Sequence, residues 1–339
     1  MPQHDAGRPS SRPATDQTAR SWTGHELLRT NAHQVVLSDD LVVRLRRRLP
    51  EVFEPPTPAT LQAFRSDMAE SVGDIAQAVG QRLGPDGPGI AVVTHDDLES
   101  LSDGQLTTLT FGVSVLLGRP ALQPSPEDFI VPVEDQKPAD VTTTPGYKSN
   151  GRMGMHNDPT DVAVLACLAA SAQGGENLFV SAAAVHDALA REAPAVLEGF
   201  RRPWTWDLRG AQRPGSQPLV DSPVFSPDPG DVKCRFGWLL LREGARATGR
   251  LTPDVDVALG LFEEVARRPE LTLRHRLRRG QSVWLDNYRV LHAREAFEDR
   301  ADTTAVRRLI RIWLWLHERA PLPPGFSAFS AAIDRGALG

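Results

Sequence analysis

Apolar residues recur at three- and four-residue steps across 60–83, where Leu61, Phe64, Met68, Val72, Ile75 and Val79 form one stripe of a long helix. A shorter helix is expected over Asp39–Arg48, with the Pro-rich stretch 55–58 between the two. The run 89–94 (GIAVVT) reads as a buried strand, and Ser102 is placed to cap a further helix through 117. The pattern then changes. The segment 141–150 (VTTTPGYKSN) is loop-like, 162–168 is a short apolar strand, Gly174-Gly175 breaks the chain, and 177–180 resumes as a strand. Ser181 is expected to cap a helix reaching about Phe200. Strands are expected to dominate the C-terminal third. The runs 224–226 and 232–236 flank Asp228-Pro229-Gly230 as a hairpin, and 271–278, 282–286 and 307–316 follow. One more helix starts at Thr252-Pro253, with proline in its favoured first turn. Opening helices followed by many short strands suggest an α+β protein, a β-sandwich or jelly roll (double-stranded β-helix) buttressed by helices.

Composition narrows the class. The chain has 339 residues, of which 40% are hydrophobic, enough for a sizeable core without disulfides or structural metal. Residues 1–23 are polar and lack the apolar centre of a signal peptide, so they read as a disordered tail ahead of a single domain over 24–339. A net charge of -5 argues against a general nucleic-acid binder, and no apolar run is long enough to span a bilayer. Cys167 and Cys234 lie in apolar contexts without CxxC spacing and read as buried thiols, which suits a reducing cytoplasm.

His156 and Asp158 offer the first sign of chemistry. Residues i and i+2 of a strand share a face, so both can reach one cation. His292 is the candidate third ligand. Two neutral imidazoles and one carboxylate on one face of an octahedron suit iron(II) and leave positions open for reactants, whereas a closed structural zinc site leaves none. With nine histidines in the chain, the HxD pair alone carries little weight.

Its surroundings carry more. The stretch 152–181 (RMGMHNDPTDVAVLACLAASAQGGENLFVS) resembles the first metal motif of the taurine dioxygenase and clavaminate synthase-like superfamily, in which HxD precedes an apolar strand, a Gly-Gly turn and a Ser before a helix. The stretches 286–297 (DNYRVLHAREAF) and 307–316 (RRLIRIWLWL) resemble its second motif, where the distal histidine precedes an arginine that binds 2-oxoglutarate. The resemblance implies a jelly-roll dioxygenase using Fe(II), 2-oxoglutarate and O2, with His156, Asp158 and His292 as the iron ligands. It implies that Arg307 grips the distal carboxylate of 2-oxoglutarate, a task suited to a planar guanidinium. Arg311 shares the strand face of Arg307, within reach of co-substrate or substrate; Arg308 points the other way. Asn177 stands near where the family often has a Thr that binds the co-substrate, and its amide can donate the same kind of bond. Asp158 is present where halogenating relatives carry a small residue, which disfavours halogenation.

Four further residues are candidate substrate contacts: Tyr147 and Ser149 on the loop before the first motif, Arg235 in KCRF, and Trp313 on the Arg311 face. His186 reads as structural, and His95 forms a second HxD pair without the motif around it. The expected reaction is hydroxylation of an unactivated C–H of a small molecule, an amino-acid derivative or natural-product intermediate, with release of succinate and CO2. Desaturation or cyclisation needs only another substrate pose. The alternatives are a zinc-dependent hydrolase, which has no use for Arg307, and a non-catalytic ligand-binding jelly roll, which has no use for the metal ligands.

Overall fold

Ser38 accepts a hydrogen bond from the Leu41 amide and opens the helix Asp39–Arg48, whose first turn is acidic and last turn basic, as the helix dipole favours. The stripe Leu61, Met68, Val72, Ile75 and Val79 is buried along the helix Leu61–Leu83. Ser102 and Gln105 form a reciprocal capping box at the start of Asp103–Leu117, worth about 1 kcal/mol. These last two helices pack on each other and on one face of a seven-stranded sheet. The computed structural model describes residues 21–124, 128–138, 145–228, 231–299 and 306–339.

The sheet runs in the order Gln34–Val36, Ile90–Thr94, Ser282–Asp286, Val162–Ala169, Arg308–Leu316 and Gly118–Pro120, with Ile130–Glu134 also paired to Arg308–Leu316. The first pair is parallel and the others are antiparallel. Alternation sorts the side chains of Arg308–Leu316. Ile310, Ile312 and Leu314 join the helix-backed cluster, while Leu309, Arg311 and Trp313 take the opposite face. A second sheet of four antiparallel strands, Leu273–His275, Asn177–Ser181, Val290–Arg294 and Met153–His156, supplies the other wall. Leu165, Cys167, Phe179, Val283, Leu285 and Val290 close the core between the two sheets.

Several expectations need correction. The polar tail was expected to run through Thr23, but Trp22 is buried with its indole N–H on the Pro88 carbonyl, and Thr23 caps the helix Gly24–Thr30. Residues 1–20 lie outside the described residues, as do 141–144 of the expected loop and Pro229-Gly230 of the expected turn. The expected hairpin around that turn is reduced to an isolated bridge, Phe225 to Cys234. The helix after Ser181 is two helices, Ala182–Glu192 and Pro194–Phe200, because Pro194 has no N–H to continue the first and pre-sets the start of the second. The C-terminal third is less strand-rich than expected: besides the expected helix Pro253–Ala266 it contains the helices Trp238–Ala247 and Pro324–Ile333.

Candidate active site

His156 ends the strand Met153–His156, directly opposite His292 on Val290–Arg294. That register sets the two rings 4.2 Å apart, centre to centre. Asp158 lies beyond the strand end, so strand alternation is not what brings it to His156. Asn157 does that work. Its side chain donates to the Val290 carbonyl and accepts from the Phe236 amide, while its own amide donates to the Phe236 carbonyl. The Asp158 amide is then fixed on the buried Asn287 side chain. One donor atom from each of His156, Asp158 and His292 lies within 4.8 Å of the others, the one such group of three found among the described residues.

The protonation states follow from the surroundings. His156 Nδ1 lies 2.9 Å from the Gly154 carbonyl, which can only accept; Nδ1 therefore carries a proton, and Nε2 is the ring nitrogen left to face a metal. Burial, then His156, pushes the His292 pKa down to about 3, so that imidazole is neutral. Asp158 is held below the ordinary carboxylate range: burial alone would raise it, but Arg311, His292, His156 and the Trp313 N–H outweigh burial. Trp313 Nε1 donates to Asp158 Oδ2 at 2.9 Å, and Arg311 Nη1 lies 3.6 Å from Oδ1. The Arg311 guanidinium sits between the Tyr147 and Trp313 rings, 4.7 and 4.5 Å from their centres, and its Nε donates to Gln123.

Arg307 enters the same small cleft, whose cavity volume is about 40 Å³, together with Tyr147, Asn177 and Arg294. It is 3% exposed, and its Nη1 has no partner among the described residues. Burial lowers its pKa to about 10, and that of Arg294 likewise, with Arg307 itself adding to the effect on Arg294. Gly175 (φ 74°) makes room for it, since a Cβ there would stand 2.9 Å from Ser171 Oγ and 3.3 Å from Arg307 Nε. Arg308 points away and pairs with Asp103. Asn177 lines the cleft while its amide donates to the His275 carbonyl.

Of the substrate candidates, only Tyr147 lines the cleft. Trp313 acts on Asp158 instead. Ser149 is turned back, its hydroxyl donating to Gly146 and its carbonyl accepting from Arg294. Arg235 is away from the cleft, buried 4.2 Å from the Phe329 ring centre and 5.2 Å from that of Tyr288; strand parity could not reveal that aromatic box. His186 is buried against Asp187 and Arg201, and His95 pairs with Asp39. Gln123, Asn157, Asn287 and Arg294 were not anticipated as parts of the site. Only the Asn and Arg residues inside the two motifs carried a signal.

The model of the family "Taurine catabolism dioxygenase TauD, TfdA family" matches residues 85–313. The chain is 30% identical over 259 residues to FR-33289 synthase of Streptomyces rubellomurinus (strain ATCC 31215), covering 75% of this chain and 76% of that protein. The fold resembles that of asparagine oxygenase solved with Fe(II), 2S,3S-3-hydroxyasparagine and succinate (TM-score 0.65, 16% identity, 83% of this chain and 93% of that one). It also resembles the non-heme iron oxygenase OrfP solved with Fe and alpha-ketoglutaric acid (TM-score 0.60, 13% identity, 84% of this chain and 94% of that one). The chain belongs to the taurine catabolism dioxygenase TauD, TfdA family.

Proposed function

We propose that this iron(II)- and 2-oxoglutarate-dependent dioxygenase hydroxylates an unactivated C–H of a small molecule, an amino-acid derivative or a natural-product intermediate, within one jelly-roll domain over residues 24–339. The observation that carries the reading is the convergence of His156, Asp158 and His292 in the cleft that also holds the unpaired Nη1 of Arg307. Two imidazoles and an ionised carboxylate fit a ferrous ion, and an orphaned buried guanidinium fits an anionic co-substrate. The two relatives solved with hydroxyasparagine and with alpha-ketoglutaric acid favour an amino-acid substrate and this co-substrate.

When bound, iron and 2-oxoglutarate supply the oxidation of a C–H bond by O2, with succinate and CO2 released. The chain's own residues do the rest. His156 and His292 offer Nε2 lone pairs, the first through its Nδ1–H on Gly154. Trp313 and Arg311 hold the two Asp158 oxygens in distinct environments, which orients the carboxylate as a ligand. Arg307 anchors the distal carboxylate of the co-substrate, and Tyr147 with the Arg311 guanidinium faces the substrate. Val133, Leu165 and Leu309 line the cleft with apolar surface and help exclude water.

The two cysteines are free and buried, which suits a reducing, cytoplasmic setting; no helix among the described residues is long and apolar enough to cross a membrane. Adding 2-oxoglutarate anaerobically to the Fe(II)-loaded protein is expected to give a weak visible charge-transfer band, and O2 with candidate amino acids to stimulate succinate release. Iron-loaded protein that never binds 2-oxoglutarate overturns the reading.

A further inference from the structure

Arg294 lies two residues beyond His292 on the same strand and is 4% exposed. Its Nη2 donates to the carbonyls of Gly146, Ser149 and Gly151, the turn that carries Tyr147. Its Nε and Nη1 have no partner among the described residues. Arg307, in the same cleft, leaves Nη1 unpartnered, and both guanidinium carbons lie 4.9 Å from the centre of the Phe297 ring. Two neighbouring buried cations thus line one cavity and between them leave three N–H-bearing nitrogens without a partner among the described residues. An uncompensated buried donor is destabilising, and a buried charge more so, unless a ligand completes it.

We propose that Arg294 and Arg307 together clamp the distal carboxylate of the 2-oxo acid co-substrate, and that Arg294 couples its occupancy to the Gly146–Gly151 turn. The inference rests on the co-substrate reading above and extends it to a second guanidinium. A carboxylate has two oxygens and about four acceptor sites, enough for donors from two arginines. Arg294 Nη2 is committed to the turn, so an anion on either remaining donor, Nε or Nη1, which lie on different edges of the guanidinium, fixes its plane and with it the three carbonyls. Tyr147, stacked on Arg311, is then set in place for substrate after the co-substrate has bound. Arg294 acts on the substrate side as a positioning residue.

The test uses Fe(II)-loaded full-length protein under anaerobic conditions with two probes: 2-oxoglutarate, and 2-oxobutyrate, which keeps the 2-oxo acid head and lacks the distal carboxylate. Arg294→Gln is expected to raise the Kd for 2-oxoglutarate about tenfold or more while leaving that for 2-oxobutyrate unchanged, with partial recovery in Arg294→Lys. Combined with Arg307→Gln, it is expected to lose less affinity than the product of the single losses, because the two share one carboxylate. In the unmutated protein, backbone hydrogen exchange over 146–151 is expected to slow with 2-oxoglutarate and not with 2-oxobutyrate. The clamp is overturned if Arg294→Gln binds 2-oxoglutarate as the unmutated protein does while Arg307→Gln does not, or if both probes lose affinity equally. The coupling is overturned if both probes, or neither, slow exchange in the turn. Unmutated protein that binds neither probe removes the underlying co-substrate reading itself.

Discussion

The two faces of the strand Arg308–Leu316 are buried to similar degrees and built from different chemistry. On one, Ile310, Ile312 and Leu314 are 7%, 0% and 0% exposed against the helices; on the other, Leu309 and Arg311, which line the cleft, and Trp313, which meets Asp158, are 1%, 8% and 7% exposed. The apolar face is complete in itself, since its contacts are dispersion and burial with neighbours the fold supplies. The polar face is complete only in part. Arg311 has Gln123, Asp158 and two aromatic rings, while Arg307, one step before the strand, keeps an unpaired Nη1. The difference separates what holds the sheet together from what the sheet is there to hold.

Changing Arg307 should break the comparison most sharply. Arg307→Met is expected to weaken anaerobic 2-oxoglutarate binding by roughly thirtyfold or more, from the about 2–5 kcal/mol lost when one partner of a buried charge pair is removed. Its thermal midpoint without co-substrate should not fall, because a buried charge without a full partner has been replaced by an apolar side chain. A drop of several degrees would mean that the cleft face carries stability after all. Ile312→Ala is the converse: a loss of about 2–5 kcal/mol in denaturant unfolding, with 2-oxoglutarate affinity unchanged in the folded fraction.

Acid tests the division as well, because one of the buried imidazoles it acts on lies outside the cleft. His33 is 1% exposed, and burial, then the nearby His275, lower its pKa from 6.5 to about 4; burial lowers His275 as well. The folded state therefore favours neutral rings, and the unfolded chain takes up protons first as pH falls through 6.5. Stability is full above that pH and is lost progressively down to about 4, on the order of 3 kcal/mol from His33 alone. His33→Gln should flatten the fall of thermal midpoint across this window; an unchanged slope would place the acid-sensitive groups elsewhere. Trp313→Phe comes next in size. It keeps the ring and removes the donor to Asp158, so metal affinity should fall about 10- to 100-fold in a competitive chelator titration while the fold stays intact.

Legibility followed the same division. The stripe in Leu61–Leu83 and the alternation in Arg308–Leu316 were readable because periodicity is a local property, and that alternation already assigned Arg307 and Arg308 to opposite faces. The triad was readable through its motifs. Gln123 was not, since it meets Arg311 across 188 residues and nothing around it in sequence announces a partner. The facing of Arg235 stayed open because an arginine between Cys234 and Phe236 is compatible with a cleft or with a box, and the rings that form the box come from residues 288, 326 and 329. The helix Trp238–Ala247 escaped notice because its apolar start, WLLL, lacks a stripe until the following turn supplies the polar face.

Arg308 gives the smallest effect and the cleanest control. It adjoins Arg307 in sequence and has the same charge, yet its side chain is 45% exposed beside Asp103, itself 42% exposed and shared with Arg279. Exposed pairs of this kind contribute about 0–1 kcal/mol, because solvent screens the attraction and holding two long side chains lowers their entropy. Arg308→Ala should therefore shift unfolding by at most that amount and leave the 2-oxoglutarate titration superimposable on that of the unmutated protein. A weakened titration in this variant would show that the charge of the strand end, and not the face on which Arg307 stands, attracts the co-substrate. In that case a second measurement at raised salt should erase the difference, since a screened long-range field fades with ionic strength while a buried bidentate contact persists.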